Sequence, residues 1–467
     1  MKQNKHLLVT IVCLLVVATF ALNAQNYKLP EYTSFKLDNG LTINLMEQHE
    51  VPVISVSAIL PAGAIYDENK PGLASLTAAS LKHGTAGYSK ATLDEELDFM
   101  GASINTYASK ESAGLSSKFA SRDKEKVLKM IKELLVSPTF PPDEFEKEKK
   151  RLLVRLEQQK ESPRGVISIY FDKFFYGDHV YANAIQGNRT SVNILNVEDI
   201  RTFFLDNYSP EAAAISVVGD FSSEEMKNIL TSLFRDWKPT DKLMEDISAR
   251  APEFPRENQV LLVNKEDATE TTFLIGAPGI SRNNPDFVAI DVINTLFGGR
   301  FTSMLNEELR VKTGLTYGAG SNFRSLKNWG SFVISTFTAT ETTEQAIDKA
   351  LEVLNNLHSS GLNENSLTSA KNYVKGQFPP QYETTAQLAS LLSQMFWYEL
   401  DSSYINDFES NVDSLDVSKA QELAGKYFPK DQLQFVLIGK ALEIRPIAEK
   451  YGKVTEIEIK NDLDKSL

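Results

Sequence analysis

The sequence predicts an α+β protein made of two homologous domains, each a largely antiparallel sheet with helices packed on one face. Three observations carry this. A Tyr-x-Pro triplet followed by an apolar strand and a Gly occurs twice, once towards the end of each half. Each half mixes alternating, strand-like runs with stretches of helical spacing instead of sorting them into blocks. Between the halves lies a charged, proline-bearing stretch with no sustained period.

The first element, residues 1–24, is read as a signal peptide rather than as fold. Lys2 and Lys5 precede an almost purely apolar run from Leu7 to Leu22, and Asn23-Ala24 offers a small residue for cleavage before Gln25. The run is short for a spanning helix. An uncleaved N-terminal anchor is the alternative. Cys13 follows Val12, where a lipidation signal wants a small residue. The expected mature chain is exported, to the periplasm, with no stable membrane insertion after cleavage. It loses the one cysteine, which excludes disulfides and thiol catalysis. Removing Lys2 and Lys5 takes the formal charge of −13 to about −15. No basic block or aromatic-basic stripe interrupts this acidic surface, so nucleic acid is not an expected partner.

Residues 25–237 are expected to form the first domain. Phe35, Leu37, Leu41, Ile43 and Leu45 alternate around Asp38-Asn39-Gly40, a hairpin signal that rests on the tolerance of Asn-Gly for positive φ. Val53 to Ile59 is a further strand. Leu73, Leu76, Ser80 and Leu81 fall at helical spacing, after Pro71-Gly72 and before a stop at Gly84. Thr92-x-x-Glu95 has the pattern of a capping box, with Leu93, Leu97 and Met100 following on one helix face.

The repeat closes this domain. A helical pattern over Val197 to Phe204 leads into Tyr208-Ser209-Pro210, a strand through Ile215, Val217 and Val218, and Gly219. The second copy runs from Val417 to Ala424, through Tyr427-Phe428-Pro429 and Phe435, Leu437 and Ile438, to Gly439. Lys238 to Glu257, with Pro239, Pro252 and Pro255, reads as the interdomain linker. Limited proteolysis is therefore expected to cut there first and leave fragments of similar mass; early cuts confined to the middle of either half would contradict a duplication. Residues 258–467 are the expected second domain. It opens with strands at Val260 to Val263 and Thr272 to Ile275 and a helix from Pro285 to Phe297, ending at Gly298-Gly299.

The segment Gly72 to Thr85 reads Gly-Leu-Ala-Ser-Leu-Thr-Ala-Ala-Ser-Leu-Lys-His-Gly-Thr. It resembles the inverted zinc helix of the pitrilysin/insulinase-type peptidases, Gly-x-Ala-His-x-x-Glu-His-x-x-x-x-Gly-Thr, with its chemistry replaced. A catalytic zinc takes three protein ligands and an open position for water. Two His at i and i+4 serve because they share a helix face, and the Glu before the second takes a proton from the water. Here Ser75 and Ala79 stand at the two His positions and Ala78 at the acid-base position. The resemblance puts the third ligand, a Glu, on a later helix, where Arg155 stands; the acid seven residues before it survives as Glu148. A guanidinium would oppose Zn²⁺. Of the five His, no two lie within one helix turn of each other. No metal site is expected in this chain.

Downstream of Gly298-Gly299, Leu309-Arg310 and Leu315-Thr316-Tyr317 flank Gly314. This resembles the family's C-domain signature, in which Leu-Arg near a helix end is followed by Leu-x-Tyr on a strand. The resemblance implies that Arg310 and Tyr317 hold the substrate carbonyl and the tetrahedral intermediate at a zinc across the chamber, as preorganised donors do for developing negative charge. Ser103, Asn105 and Tyr107 resemble the family's peptide-pairing edge strand; an ordinary strand is the equal alternative.

The resemblance covers essentially the whole mature chain and implies one half of a clamshell. It further implies an exported, non-catalytic subunit of a heterodimeric zinc peptidase. Such a subunit supplies Arg310 and Tyr317, while a zinc-bearing paralogue supplies the metal and the pair hydrolyses unfolded or short peptides. A structural or peptide-binding scaffold without protease activity is the alternative.

Overall fold

The computed structural model describes residues 27–242 and 247–460. The expected signal peptide, Cys13 included, lies outside the described residues, as does part of the expected linker.

Among the described residues each half contains one six-stranded sheet. The first comprises β1 (Thr33–Lys36), β2 (Thr42–Glu47), β3 (Val53–Leu60), β4 (Ser103–Ala108), β5 (Ala113–Ala120) and β6 (Ala214–Gly219). They are ordered β1-β2-β6-β3-β5-β4. The second comprises β7 (Gln259–Asn264), β8 (Glu270–Pro278), β9 (Ala319–Ser325), β10 (Gly330–Ala339), β11 (Gln434–Gly439) and β12 (Lys453–Glu458). Their order is β12-β7-β11-β8-β10-β9. The strands after the two Tyr-x-Pro triplets, β6 and β11, therefore occupy the same slot. β6 runs parallel to β2 and β11 to β7, with Ile43 beside Ile215 and Val260 beside Phe435. The other neighbours are antiparallel, apart from β12 on β7. This is the α+β duplication that the sequence predicts.

One face of each sheet builds a core with helices of its own half. Ile43, Val56, Leu115 and Val217 meet Leu73, Leu128 and Ile131 in the first; Leu262, Phe273, Ile334 and Leu437 meet Ile290, Ile347 and Leu354 in the second. Each fully buried Leu, Ile or Phe contributes about 1.5–3 kcal/mol. One local expectation is corrected. The helix Lys90–Met100 is capped by Ser89, whose hydroxyl accepts from Thr92 N at 3.1 Å, and not by Thr92 with Glu95. The hydrophobic run Leu93, Leu97 and Met100 does not by itself fix the first turn of the helix.

The opposite faces reveal an exchange that the sequence does not announce. The helix Pro163–Tyr176 of the first half lays Val166, Ile167, Tyr170 and Phe171 on Leu261, Val263, Leu274 and Val333 of the second sheet. Gly276 makes this possible, because a Cβ there would stand 2.2 Å from the Phe171 ring. Reciprocally, the helix Thr385–Tyr398 crosses the first sheet. Ser393 Oγ donates to Ser57 O at 3.1 Å, and Trp397 packs on Ile59 and Ala214. The two halves are thus cross-braced and not merely tethered.

The tips of the equivalent hairpins add a polar lock. Lys110, at the β4–β5 turn, is buried, and its Nζ reaches Asp172 at 2.9 Å and the carbonyls of Tyr181 and Asn183 at 2.8 Å each. Asp172 also meets Arg324 of β9 at 3.4 Å. Glu111 accepts from Lys327 N, at the β9–β10 turn, and from the Tyr181 hydroxyl; burial pushes its carboxyl above the ordinary carboxylate range.

Candidate functional site

The degenerate zinc segment forms the helix Leu73–Ser80, continued by one tighter turn to His83. Its frame residues are structural. Gly72 has φ +97°, and a Cβ there would meet Gln186 O at 2.8 Å. Buried Asp67 accepts from Gly72 N and Ala74 N at 2.7 Å each, which satisfies orphan donors at the helix start. At the far end Thr85 Oγ1 donates to Glu133 at 2.6 Å, and Gly87 N donates to the same carboxylate. The residues that this chain shares with the zinc-helix frame are those its fold uses.

The replaced positions hold none of that burden. Ala78 is buried, and Ser75 and Ala79 are half-buried beside the helix Pro142–Gln159. On that helix Glu148 is paired with Arg151 at 2.9 Å and Arg155 at 3.6 Å, and the Arg155 side chain is exposed. A serine hydroxyl, two methyl groups and a guanidinium neutralising the nearest acid do not fit Zn²⁺. Among the described residues no three His, Cys, Asp or Glu side chains converge as a metal site. Dialysed protein is therefore expected to retain no stoichiometric zinc by metal analysis; near one tightly held zinc per chain would contradict this fit.

His83 ends this segment in the interior, and its Nδ1 has no hydrogen-bond partner among the described residues. Burial holds its imidazole below the ordinary range of about 6.5, although Glu148 and Glu144 pull the other way. A depressed folded pKa means that the neutral form stabilises the fold above about pH 6.5, and that this contribution is lost as pH falls through the lower folded value. His83→Gln should flatten the fall in urea-unfolding stability across that window; an unchanged slope would show that the ring is not the cause.

The second half presents Arg310 and Tyr317 differently from a buried catalytic pair. Arg310 lies in the wide helical turn Glu307–Lys312, exposed, with its guanidinium 4.7 Å above the Phe301 ring. Tyr317 is 84% exposed and occupies a bend two residues before β9, not the strand that the resemblance implied. That bend is braced. Leu315 N donates to Leu309 O, and the buried hydroxyls of Thr338 and Thr336 on β10 hold Leu315 O at 2.7 Å and Gly318 O at 2.9 Å. Buried Asn306 bonds both Phe301 O and Ala319 N, closing the loop around the pair. Phe301 and Asn306 are the residues that sequence reasoning missed; their closeness to Gly298-Gly299 was the available signal.

Ser103, Asn105 and Tyr107 are the exposed positions of β4, the outermost strand of the first sheet, and Ile104 between them is buried. Among the described residues no hydrogen bond, ion pair or ring contact joins Arg310 or Tyr317 to β4 or to the Leu73–Ser80 helix.

Residues 43–189 match the domain described as Insulinase (Peptidase family M16), and residues 195–374 match the one described as Peptidase M16 inactive domain. The chain belongs to the insulinase peptidase family. It is 23% identical to the protein named Non-peptidase homolog YmxG of Helicobacter pylori, over 86% of this chain and 94% of that one. It is also 23% identical to Zinc protease PqqE of the same organism, over 91% of this chain and 96% of that one. Among solved structures, the peptidase M16 inactive domain from Pseudomonas fluorescens superposes with a TM-score of 0.82 at 27% identity, covering 88% of this chain and 98% of that one.

Proposed function

We propose that this chain is the non-catalytic subunit of a heterodimeric insulinase-type zinc peptidase, exported to the periplasm, in which Arg310 and Tyr317 complete the active site of a zinc-bearing partner. The observation that carries the reading is the state of Tyr317. Its phenol stands free of any hydrogen-bond partner among the described residues, on a backbone fixed from both sides. An exposed phenol on a held backbone is available to an acceptor that a partner brings. The loss of all four zinc-site functions beside an intact helix frame supports the same division of labour. So does the presence, in Helicobacter pylori, of one relative named a non-peptidase homolog and another named a zinc protease. Residues 25–237, 238–257 and 258–467 are the two domains and linker of this subunit.

In this reading the partner supplies the zinc and the acid-base residue. This chain donates hydrogen bonds to the substrate carbonyl and its oxyanion, and β4 can take an unfolded peptide as an added strand through Ser103 to Tyr107. Co-expression with an exported relative that retains His-x-x-Glu-His, followed by size-exclusion chromatography, tests the pairing. A co-eluting complex is expected; separate elution of two folded proteins would leave the chain a scaffold.

A further inference from the structure

Starting at Gly318, the residue after Tyr317, the structure opens a cavity of about 450 Å³ between the donated helix Pro163–Tyr176 and strands β8, β9 and β10 of the second sheet. Its chemistry is uneven. Ile167 and Leu274 give it apolar walls, Ser168, Thr272 and exposed Ser335 bring hydroxyls, and Arg164 and Arg324 flank it. Gly318 and Gly320 line the side towards the sheet edge, so a peptide backbone can approach β9 closely there.

The two arginines are held but not saturated. Arg164 Nη2 contacts both Glu270 oxygens, at 3.0 and 3.1 Å, and the guanidinium lies 3.4 Å from the Phe337 ring centre. Arg324 meets Asp172 through Nη1 and Ser168 Oγ through Nη2. A guanidinium has five N–H donors, so each retains some for an anion. Asp172 is shared with Lys110. Two arginines therefore line the cavity, each with one carboxylate partner and N–H donors to spare, and the cavity has the size for one short side chain or a chain end.

We infer that this cavity binds a carboxylate of the peptide substrate, either the chain-terminal group or an acidic side chain. The inference deepens the shared-site reading, because Gly318 follows Tyr317 directly; a carboxylate seated here would set the cleaved bond at a short, fixed distance from it. The cavity itself belongs wholly to this chain and binds without the partner.

The test is calorimetric titration of the full mature chain at low salt with three peptides. These are acetyl-Ala-Ala-Ala-Ala as the free acid, the same peptide as its C-terminal amide, and acetyl-Ala-Ala-Glu-Ala-amide. Saturable binding of the free acid but not its amide assigns the site to a chain end; binding of the Glu peptide assigns it to a side chain. Arg324→Gln and Ser335→Asp should each weaken that binding about tenfold or more. Ser335→Asp is the safer variant, since it places a negative charge at an exposed position without breaking the Asp172 contacts. Equal binding of all three peptides, no saturable binding, or binding that survives Ser335→Asp would overturn the inference. A positive titration with no complex by chromatography would remove the shared active site and leave the carboxylate site standing; a complex with no titration would do the reverse.

Discussion

Tyr317→Phe is expected to leave the two-subunit complex intact and to lower peptide turnover about 10²–10³-fold, or ~3–4 kcal/mol of transition-state stabilisation, the usual cost of one oxyanion donor. The change removes a single hydroxyl. The bend that carries it is set by Thr336, Thr338 and Leu309, which the substitution does not touch. Arg310→Ala should be at least as damaging and should also raise KM if the guanidinium holds the ground-state carbonyl. Ser75→Ala, on the degenerate helix, should change nothing measurable. If both second-half variants turned over at the wild-type rate while Ser75→Ala did not, the assignment of roles would be reversed.

The second large effect is on stability. Lys110→Met should cost about 3 kcal/mol, because a buried, ion-paired ammonium is lost and its acceptors lose their main partner. Asp172 would keep only the longer Arg324 contact, and the carbonyls of Tyr181 and Asn183 would lose a charged donor. The loss falls where the two halves meet, so a urea titration should show an earlier midpoint for the whole chain. A midpoint equal to that of wild type would mean that the exchanged helices hold the halves without this lock.

The duplication was legible because strands and helices impose different periods on the chain. Ile215, Val217 and Val218 and their counterparts Phe435, Leu437 and Ile438 sit between the same turn residues, and the sheets place them in the same slot. The replaced residues of the zinc motif were legible for a simpler reason: they are identities at fixed offsets, Ser75, Ala78 and Ala79 on the Leu73–Ser80 helix and Arg155 on Pro142–Gln159. What could not be read was long-range. Nothing local to Pro163–Tyr176 says that its apolar side belongs to the other half's sheet, and Gly276, the position that admits Phe171, lies more than a hundred residues away. The local failures were of scale. Ser89 in place of Thr92 is a cap displaced by one turn, and Tyr317 ahead of β9 is a strand edge displaced by two residues.

The central claim is that this chain has half of an active site and a partner has the other half. It is tested most directly by measuring zinc content and unfolded-peptide cleavage for this chain alone, for the zinc-bearing relative alone, and for the two co-purified. The account predicts that zinc stays with the relative and that only the co-purified pair cleaves at full rate. Zinc-dependent cleavage by this chain alone, or a relative that cleaves equally fast without it, would contradict the account.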